Sequence, residues 1–587
     1  MKSKKIFALV MACVLGVSAL AGCSNKKDDN GESKATEAAT DGSSDVVDGS
    51  SDDTEGSSDT AAASEIKDWT FYACMSGKEI NDGNEIQEEI AKLTGVRIKE
   101  TWMAGQEPAE AIGAMIVTND LPDFIDGGDA SDQLVEAGVL VPWDDYIEKY
   151  PNLKEMYTDK EWELFRKDDG HIYWANVFGN TYGESQARGH NDEAFWIQNR
   201  VLAWDNYPKI ETLDEYFDLL KRFAEANPEN DDGVKVIPYT ALCEGWRYFC
   251  VENAPEFLDG YPNDGSVIVQ LDGVDKPTIV DYNTTPTAKM YFKKLNEVYN
   301  DGLMDQEFAT MSYDDYIAKL ATGAVLGMCD QWWDFAYTVN DKFKASGYDE
   351  KGYNYVPLGL VAEKGLKNHW HTYGDTLNSA SGICVTTKCD DPDKAFEFLS
   401  RCLDQEILDL RFWGIKDVDY LVDDNDMYYR TQEMRDKWAD ENYQANHICS
   451  YSYFPQYNGT SKTSANAMKP EDQESEFFDG LAKPLQDCFR AYDYDSYDDF
   501  LQSEHDEMGF WYPMYSYSNL MSTMTEGGAA WTEMGECKHE WLPKVITAKD
   551  FDSAWADYMK AYEACNPQAF LDEMQEELDR RVELANS

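Results

Sequence analysis

The sequence predicts an α/β protein organised around largely parallel sheet. Three observations carry the prediction. Short runs rich in β-branched and aromatic residues, Trp69–Ala73, Val96–Ile98 and Leu121–Ile125, alternate with helix-period runs, first Ile86, Ile90 and Leu93, then Ala109–Val117. The composition is globular, 43% hydrophobic and 13% aromatic over 587 residues, which suffices for two domains or one large two-part unit. After the first 22 residues no apolar run is long enough to span a bilayer.

Taken in order, the elements are well punctuated. Thr94-Gly95 stops the first helix, glycine being the residue that turns left-handed without penalty. Thr212-Leu213-Asp214-Glu215 is a capping box opening a helix with Leu213, Phe217 and Leu220 on its apolar face. Thr285-Pro286 starts a helix that turns Tyr291, Leu295 and Val298 inward and ends at Gly302. Ser312, with Asp315 at the third helical position, starts another that ends at Gly323. Ala324–Cys329 is a short apolar strand followed at once by Asp330-Gln331-Trp332-Trp333. Gly382–Val385 is a strand, and Asp391-Pro392 caps a helix over Ala395–Leu403. Beyond about 430 the chain is helical and rich in Tyr, Trp and acids; no internal repeat is evident.

The first 22 residues read as a signal peptide. Lys2, Lys4 and Lys5 precede an apolar run from Ile6 to Leu20 that is short for a membrane span. Leu20-Ala21-Gly22-Cys23 resembles the bacterial lipobox, which implies cleavage before Cys23 and a lipid anchor there, palmitate included. An ordinary cysteine at the end of a plain signal peptide is the competing reading. Residues 24 to about 65 are Ser, Asp, Gly, Thr and Ala, too polar to bury surface, and are expected to be a disordered tether reaching roughly 35 Å. The expected location is the extracellular face of the membrane of a Gram-positive bacterium.

The formal charge is −61, and −64 without residues 1–22, which carry three Lys and no acid. Such a surface repels phosphate backbones, which excludes nucleic acid as a partner, and it disfavours polyanionic ligands. Of 13 Cys, 11 remain in the body beyond Cys23, an odd number without a metal or redox spacing. They are expected to act as small buried hydrophobes.

Several segments together carry a family resemblance. Thr118-Asn119-Asp120-Leu121-Pro122-Asp123, Ala137–Trp143 with Tyr146-Ile147, the strand-like Asp169-Gly170-His171-Ile172-Tyr173, Phe195–Asn199 with Tyr207-Pro208-Lys209, and the Thr212 capping box occur in the order found in extracellular solute-binding proteins of sugar-type ABC transporters. The chain resembles that family over most of residues 66–420. The resemblance implies a periplasmic-binding-protein-like fold of type II, two lobes closing on a hinge around the ligand. It implies lobes at 66–178 plus about 376–425, and at about 179–375 plus 426–587. It further implies binding without catalysis, a neutral oligosaccharide as ligand, permease subunits as partners, and a monomer.

A sugar offers an apolar C–H face and a rim of hydroxyls, so aromatic rings beside carboxylates and amides at strand ends are the expected binding chemistry. Trp332 and Trp333 follow a strand directly and resemble the family's sugar-stacking Trp segment, with one of the pair expected in the core. Asp126 and Asp129 sit in the matching loop of the other lobe, an acidic turn being the alternative. Trp370, His371, Tyr373 and Asp375 form a further candidate cleft loop, and Glu244, Trp246 and Arg247 another, for which a packed loop is the alternative. Trp413 and Trp531 are further candidates. In the position of the calcium loop of some oligosaccharide-binding relatives, Asn227, Glu229 and Asp231 keep oxygen ligands, but Lys235 and Val236 replace the closing acids, so a solvated turn is expected and no cofactor is called for. With 112 acids, paired carboxylates arise by chance, and no hydrolase or phosphate-loop motif is present. A surface glycoside hydrolase, a binder of peptides or other solutes, and an adhesive lipoprotein remain the alternatives.

Overall fold

The structure, a computed structural model, describes residues 66–369, 377–502 and 509–587. The signal-peptide, lipidation and tether readings at residues 1–65 lie outside the described residues. The first run is β1 (Lys67–Ala73), α1 (Glu85–Thr94), β2 (Val96–Trp102), α2 (Pro108–Thr118) and β3 (Phe124–Asp126). α1 forms where the sequence asks for it. Asn84 caps it by accepting from the Gln87 N–H, Ile86 and Ile90 face the core, and Gly95 ends it at φ 75° with its N–H on the Ala91 carbonyl.

The chain then builds β4 (Glu193–Gln198), α3 (Leu213–Ala226), β5 (Ile237–Thr240), α4 (Phe249–Glu252), α5 (Pro286–Asn300), α6 (Tyr313–Ala321), β6 (Val325–Gln331), α7 (Trp332–Ser346) and β7 (Tyr355–Leu358). It returns through β8 (Cys384–Val385), α8 (Pro392–Arg401), α9 (Gln405–Phe412) and α10 (Glu441–His447), and ends in α11 (Glu526–Thr547), α12 (Phe551–Ala564) and α13 (Pro567–Asn586). Thr212, Thr285, Ser312 and Asp391 each cap their helix through the side chain, as their positions predict.

Two four-stranded sheets result, β8-β3-β1-β2 and β7-β4-β6-β5. In the first, β8 alone opposes its neighbours; in the second, β4 alone does. Each reversed strand is one through which the chain enters a lobe after crossing from the other, β4 on first entry and β8 on return. Such a strand arrives without a local βαβ crossover and is free of its directional constraint. The expected strand at Asp169–Tyr173 is not one. Asp169 instead accepts from the His171 N–H and the Tyr173 hydroxyl, local bonds that compete with a ladder, and only an isolated bridge, Ala175 to Ile383, joins this stretch to the sheet.

Each sheet has its own core. One contains Trp69, Phe71, Phe124, Trp143, Trp174, Phe396 and Phe398. The other contains Phe195, Trp196, Tyr216, Phe217, Tyr239, Tyr291 and Phe343, and the last three helices complete it with Met534, Tyr558 and Phe570. The first core also takes in Cys449, Tyr451, Phe454, Tyr457 and Met468, beyond the expected lobe boundary near 425. Aromatic contacts draw this segment back: Phe454 lies 5.3 Å from Phe71 and 5.5 Å from both Phe124 and Phe398. Among the described residues no helix is long and apolar enough to cross a membrane.

Candidate functional site

The strand ends of the two sheets approach each other. Glu107, in the loop after β2, brings its Oε1 to 3.4 Å from where a Cβ on Gly245, in the loop after β5, would stand. Lys78 of the first lobe pairs with Asp341 of α7 at 2.9 Å. Ligands of open α/β sheets bind outside the carboxyl ends of strands, so the residues at these ends are the candidate site.

On the first lobe, β3 ends at Asp126, whose backbone carbonyl accepts from the Cys74 N–H and whose Oδ1 accepts from the Gly128 N–H at 2.9 Å. Burial pushes the Asp126 carboxyl up to about 6, against the Gly128 bond and with the charge of Asp129. Asp129 is itself raised, by lost hydration first and then by Glu107, although it stays water-accessible. Beside them Trp102 closes β2, lying edge-on to Tyr453 at 5.5 Å, and Tyr453 lies edge-on to Phe178 at 5.1 Å. Gly77 packs flat on this wall: a Cβ there would stand 2.1 Å from the Trp102 ring. Sequence reasoning missed Trp102, Tyr453 and Glu107, and the Tyr451-Ser452-Tyr453-Phe454 run was the available signal.

On the second lobe, Trp246 and Trp333 stack at 5.8 Å and 15°, and Phe249 lies about equally close to both. The Arg247 guanidinium lies over Trp246 at 4.3 Å and over Tyr313 at 3.8 Å, and its Nε donates to Asp334 Oδ1 at 2.8 Å. Trp332 points elsewhere: it packs against the second core and meets Tyr337 edge-on at 4.8 Å. The structure thus brings Trp246, Arg247 and Trp333 together, adds Tyr313, Phe249 and Asp334, and sets Asp126, Asp129 and Glu107 on the facing lobe.

Other candidates are placed differently. Glu244 accepts from the Tyr313 N–H at 2.5 Å and so caps α6. Trp413 is fully buried, its Nε1 on the Ala467 carbonyl and its ring against Tyr420 and Tyr428, which makes it a packing residue and corrects its reading as a cleft residue. Trp531 stacks on Phe570 at 4.6 Å among the terminal helices. The Asn227 amide donates to the Phe223 carbonyl, Asp231 pairs with Lys351 at 3.0 Å, and the Glu229 backbone bridges to Lys235, so this loop is a hydrogen-bonded turn. Cys23, Trp370, His371, Tyr373 and Asp375 lie outside the described residues.

The Asp126 environment gives a pH prediction. The groups around it are Asp129, Cys74, Cys384 and Tyr453, and none is a cation. An acid whose folded value is raised contributes stability that is whole below its ordinary value of 3.8 and is lost as pH rises through about 6. Asp126→Asn is therefore expected to gain on the wild type by more than about 1 kcal/mol in urea unfolding between about pH 4.5 and pH 7.5. A constant difference between the two proteins across that range would show that the carboxyl is not desolvated.

No family model matches the chain. It is 24% identical over 266 residues to lipoprotein LipO of Bacillus subtilis, covering 43% of this chain and 48% of that protein. It is 26% identical over 148 residues to the polygalacturonan/rhamnogalacturonan-binding protein YtcQ of the same species, covering 24% and 28% respectively. The chain thus spans about half or less of the length of these curated relatives. Among solved structures, the S. pneumoniae ABC-transporter substrate binding protein FusA, an EF-hand mutant in complex with fructo-nystose, superposes with a TM-score of 0.60 at 18% identity, covering 89% of this chain and 100% of that one. That likeness shows the fold: the chain has a two-lobed, periplasmic-binding-protein-like α/β architecture.

Proposed function

We propose that this protein is the ligand-capturing component of an ABC importer, tethered to the extracellular face of the membrane by a lipid on Cys23, and that it binds a neutral oligosaccharide between its lobes without altering it. The observation that carries the reading is the Trp246–Trp333 stack at the strand ends of one lobe, set opposite the carboxyls of Asp126, Asp129 and Glu107 on the other. Rings of this kind take the C–H face of a sugar, and carboxyls accept from its hydroxyls. The charge pattern supports a neutral ligand. Arg247 is already paired with Asp334 and Lys78 with Asp341, so the acids facing the ligand are not balanced by these cations. A uronate entering here would meet like charge. The relative named for polygalacturonan and rhamnogalacturonan therefore points to the sugar class and not to the charge of the ligand.

The test is a thermal-shift screen of the purified protein against neutral, acidic and amine-bearing oligosaccharides and against peptides. A ligand at a hundred times its Kd adds about 2.7 kcal/mol to stability. A clear shift with a neutral glycan recovered uncut is the expected result. A shift with uronates alone, or with peptides alone, would overturn the ligand class, and consumption of the sugar would mark a hydrolase. For the anchor, Cys23→Ser is expected to move the protein from the membrane to the soluble fraction. Continued membrane association of the processed variant would reject it.

A further inference from the structure

Beneath the aromatic stack lies a cluster of buried side chains that includes Asp334, the partner of Arg247. Cys250 on α4, Asp330 near the end of β6 and Asp334 in the first turn of α7 converge, with the Cys250 Sγ and one carboxylate oxygen of each acid within 4.8 Å of one another. All three are buried, at 0%, 0% and 5% exposure. Asp330 is well supplied with donors: its Oδ1 accepts from the Gln331 N–H at 2.8 Å and the Cys250 thiol at 3.2 Å, and its Oδ2 accepts from the Tyr316 hydroxyl at 2.5 Å. Asp334 is not. Arg247 takes its Oδ1, while Oδ2 is buried with no hydrogen-bond partner among the described residues. A buried carboxylate oxygen left bare costs about 1–3 kcal/mol or more, so its retention calls for an occupant.

We propose that Cys250, Asp330 and Asp334 form a buried site for a divalent transition-metal ion of the zinc class, with the Tyr316 hydroxyl or a water as fourth ligand. The donor set decides the class of metal. Calcium takes six to eight oxygens and magnesium a near-regular octahedron, whereas one thiolate with two carboxylates suits tetrahedral zinc. The geometry is close to what is needed. Zinc–sulfur and zinc–oxygen bonds of about 2.3 and 2.0 Å set ligand atoms roughly 3.5 Å apart, near the 3.2 Å between Cys250 Sγ and Asp330 Oδ1. The charges also balance. The Cys250 proton leaves to solvent on binding, and the thiolate and two carboxylates, less the Arg247 charge, leave two negative charges for a dication to cancel. Glu193 nearby brings no cation, since among the described residues its carboxylate meets only the side chains of Asn253, Asn263, Gln331 and Cys329. The bound ion would pin together the three segments that carry Phe249, Trp333 and the end of β6, and so stiffen the floor of the aromatic stack. The inference does not depend on what the cleft binds.

The test uses the full chain, stripped with a chelator and titrated with Co²⁺ alone. The expected result is one equivalent bound with a near-ultraviolet thiolate-to-cobalt band and visible bands of tetrahedral intensity. Zn²⁺ should abolish both and raise the melting temperature. Cys250→Ser should lose the thiolate band, while Cys243→Ser, in the same region but outside the cluster, should keep it. Asp334→Asn, nearly isosteric and so a second variant should Cys250→Ser fail to fold, should weaken Zn²⁺ binding at least tenfold. A folded chain that shows no thiolate band, or a band that survives Cys250→Ser, would overturn the site.

Discussion

Arg411→Met is expected to destabilise the first lobe by about 4 kcal/mol or more, the upper range for a single substitution. Arg411 is 1% exposed on α9, and its three nitrogens donate to five backbone carbonyls: Nε to Ser450, Nη1 to Cys402 and Pro455, and Nη2 to Tyr451 and Phe454. Among the described residues no carboxylate pairs with it directly. Burial pulls its own pKa down, and lost hydration pushes the nearby half-buried Glu100 up to about 8 despite the Arg411 charge. The cation is thus solvated by backbone dipoles, and the carbonyls of residues 450–455 have it in place of water. Met fills the volume but donates nothing, so several buried carbonyls lose their partner at once. Arg411→Lys keeps the charge on a point donor without the planar fork, and an intermediate loss is expected. Urea unfolding with hydrogen exchange resolved over residues 67–126 and 449–457 is the measurement. A loss under about 1 kcal/mol would mean that water replaces the guanidinium, and that the segment is held by its aromatic rings alone.

That prediction also shows where sequence reading ran out. Local signals were legible because they act within one turn: the caps at Thr212, Thr285, Ser312 and Asp391, and the left-handed stop at Gly95. The strand–helix alternation gave the class of fold, and the Trp pair after β6 pointed to the end of that strand. What was not legible depends on partners hundreds of residues away. Nothing around Arg411 announces that it will organise residues 450–455, and this contact, with the Phe454 ring contacts, carries the first lobe past residue 425. Glu244 and Trp413 have the composition of ligand contacts, yet one caps α6 and the other fills the core, because a carboxylate near a free N–H and a ring near an apolar gap settle there first. The cysteines behave as their type predicts: nine of the eleven free ones in the described body are buried. Their grouping was invisible, since Cys250 meets Asp330 only through the fold.

Trp333→Ala is expected to weaken oligosaccharide binding by at least tenfold, with about 2–4 kcal/mol the magnitude for an aromatic anchor. The two adjacent tryptophans offer equal chemistry, and position separates them. Trp333 shares a stacked surface with Trp246, which Arg247 backs at 4.3 Å, so its ring is held flat at the strand ends where a sugar face can lie on it. Trp332 turns toward the core and Tyr337, so Trp332→Ala should lower stability more than affinity. Because Trp246 and Trp333 form one surface, their alanine variants should be non-additive: the double variant is expected to lose less than the sum of the singles. Calorimetric titration with the glycan found in the thermal screen reads the four variants against the wild type. Trp333→Ala that binds as tightly as wild type, while Trp332→Ala does not, would move the ligand to the Tyr337 side of α7. Simple additivity of the Trp246 and Trp333 losses would mean two separate sugar contacts and not one platform.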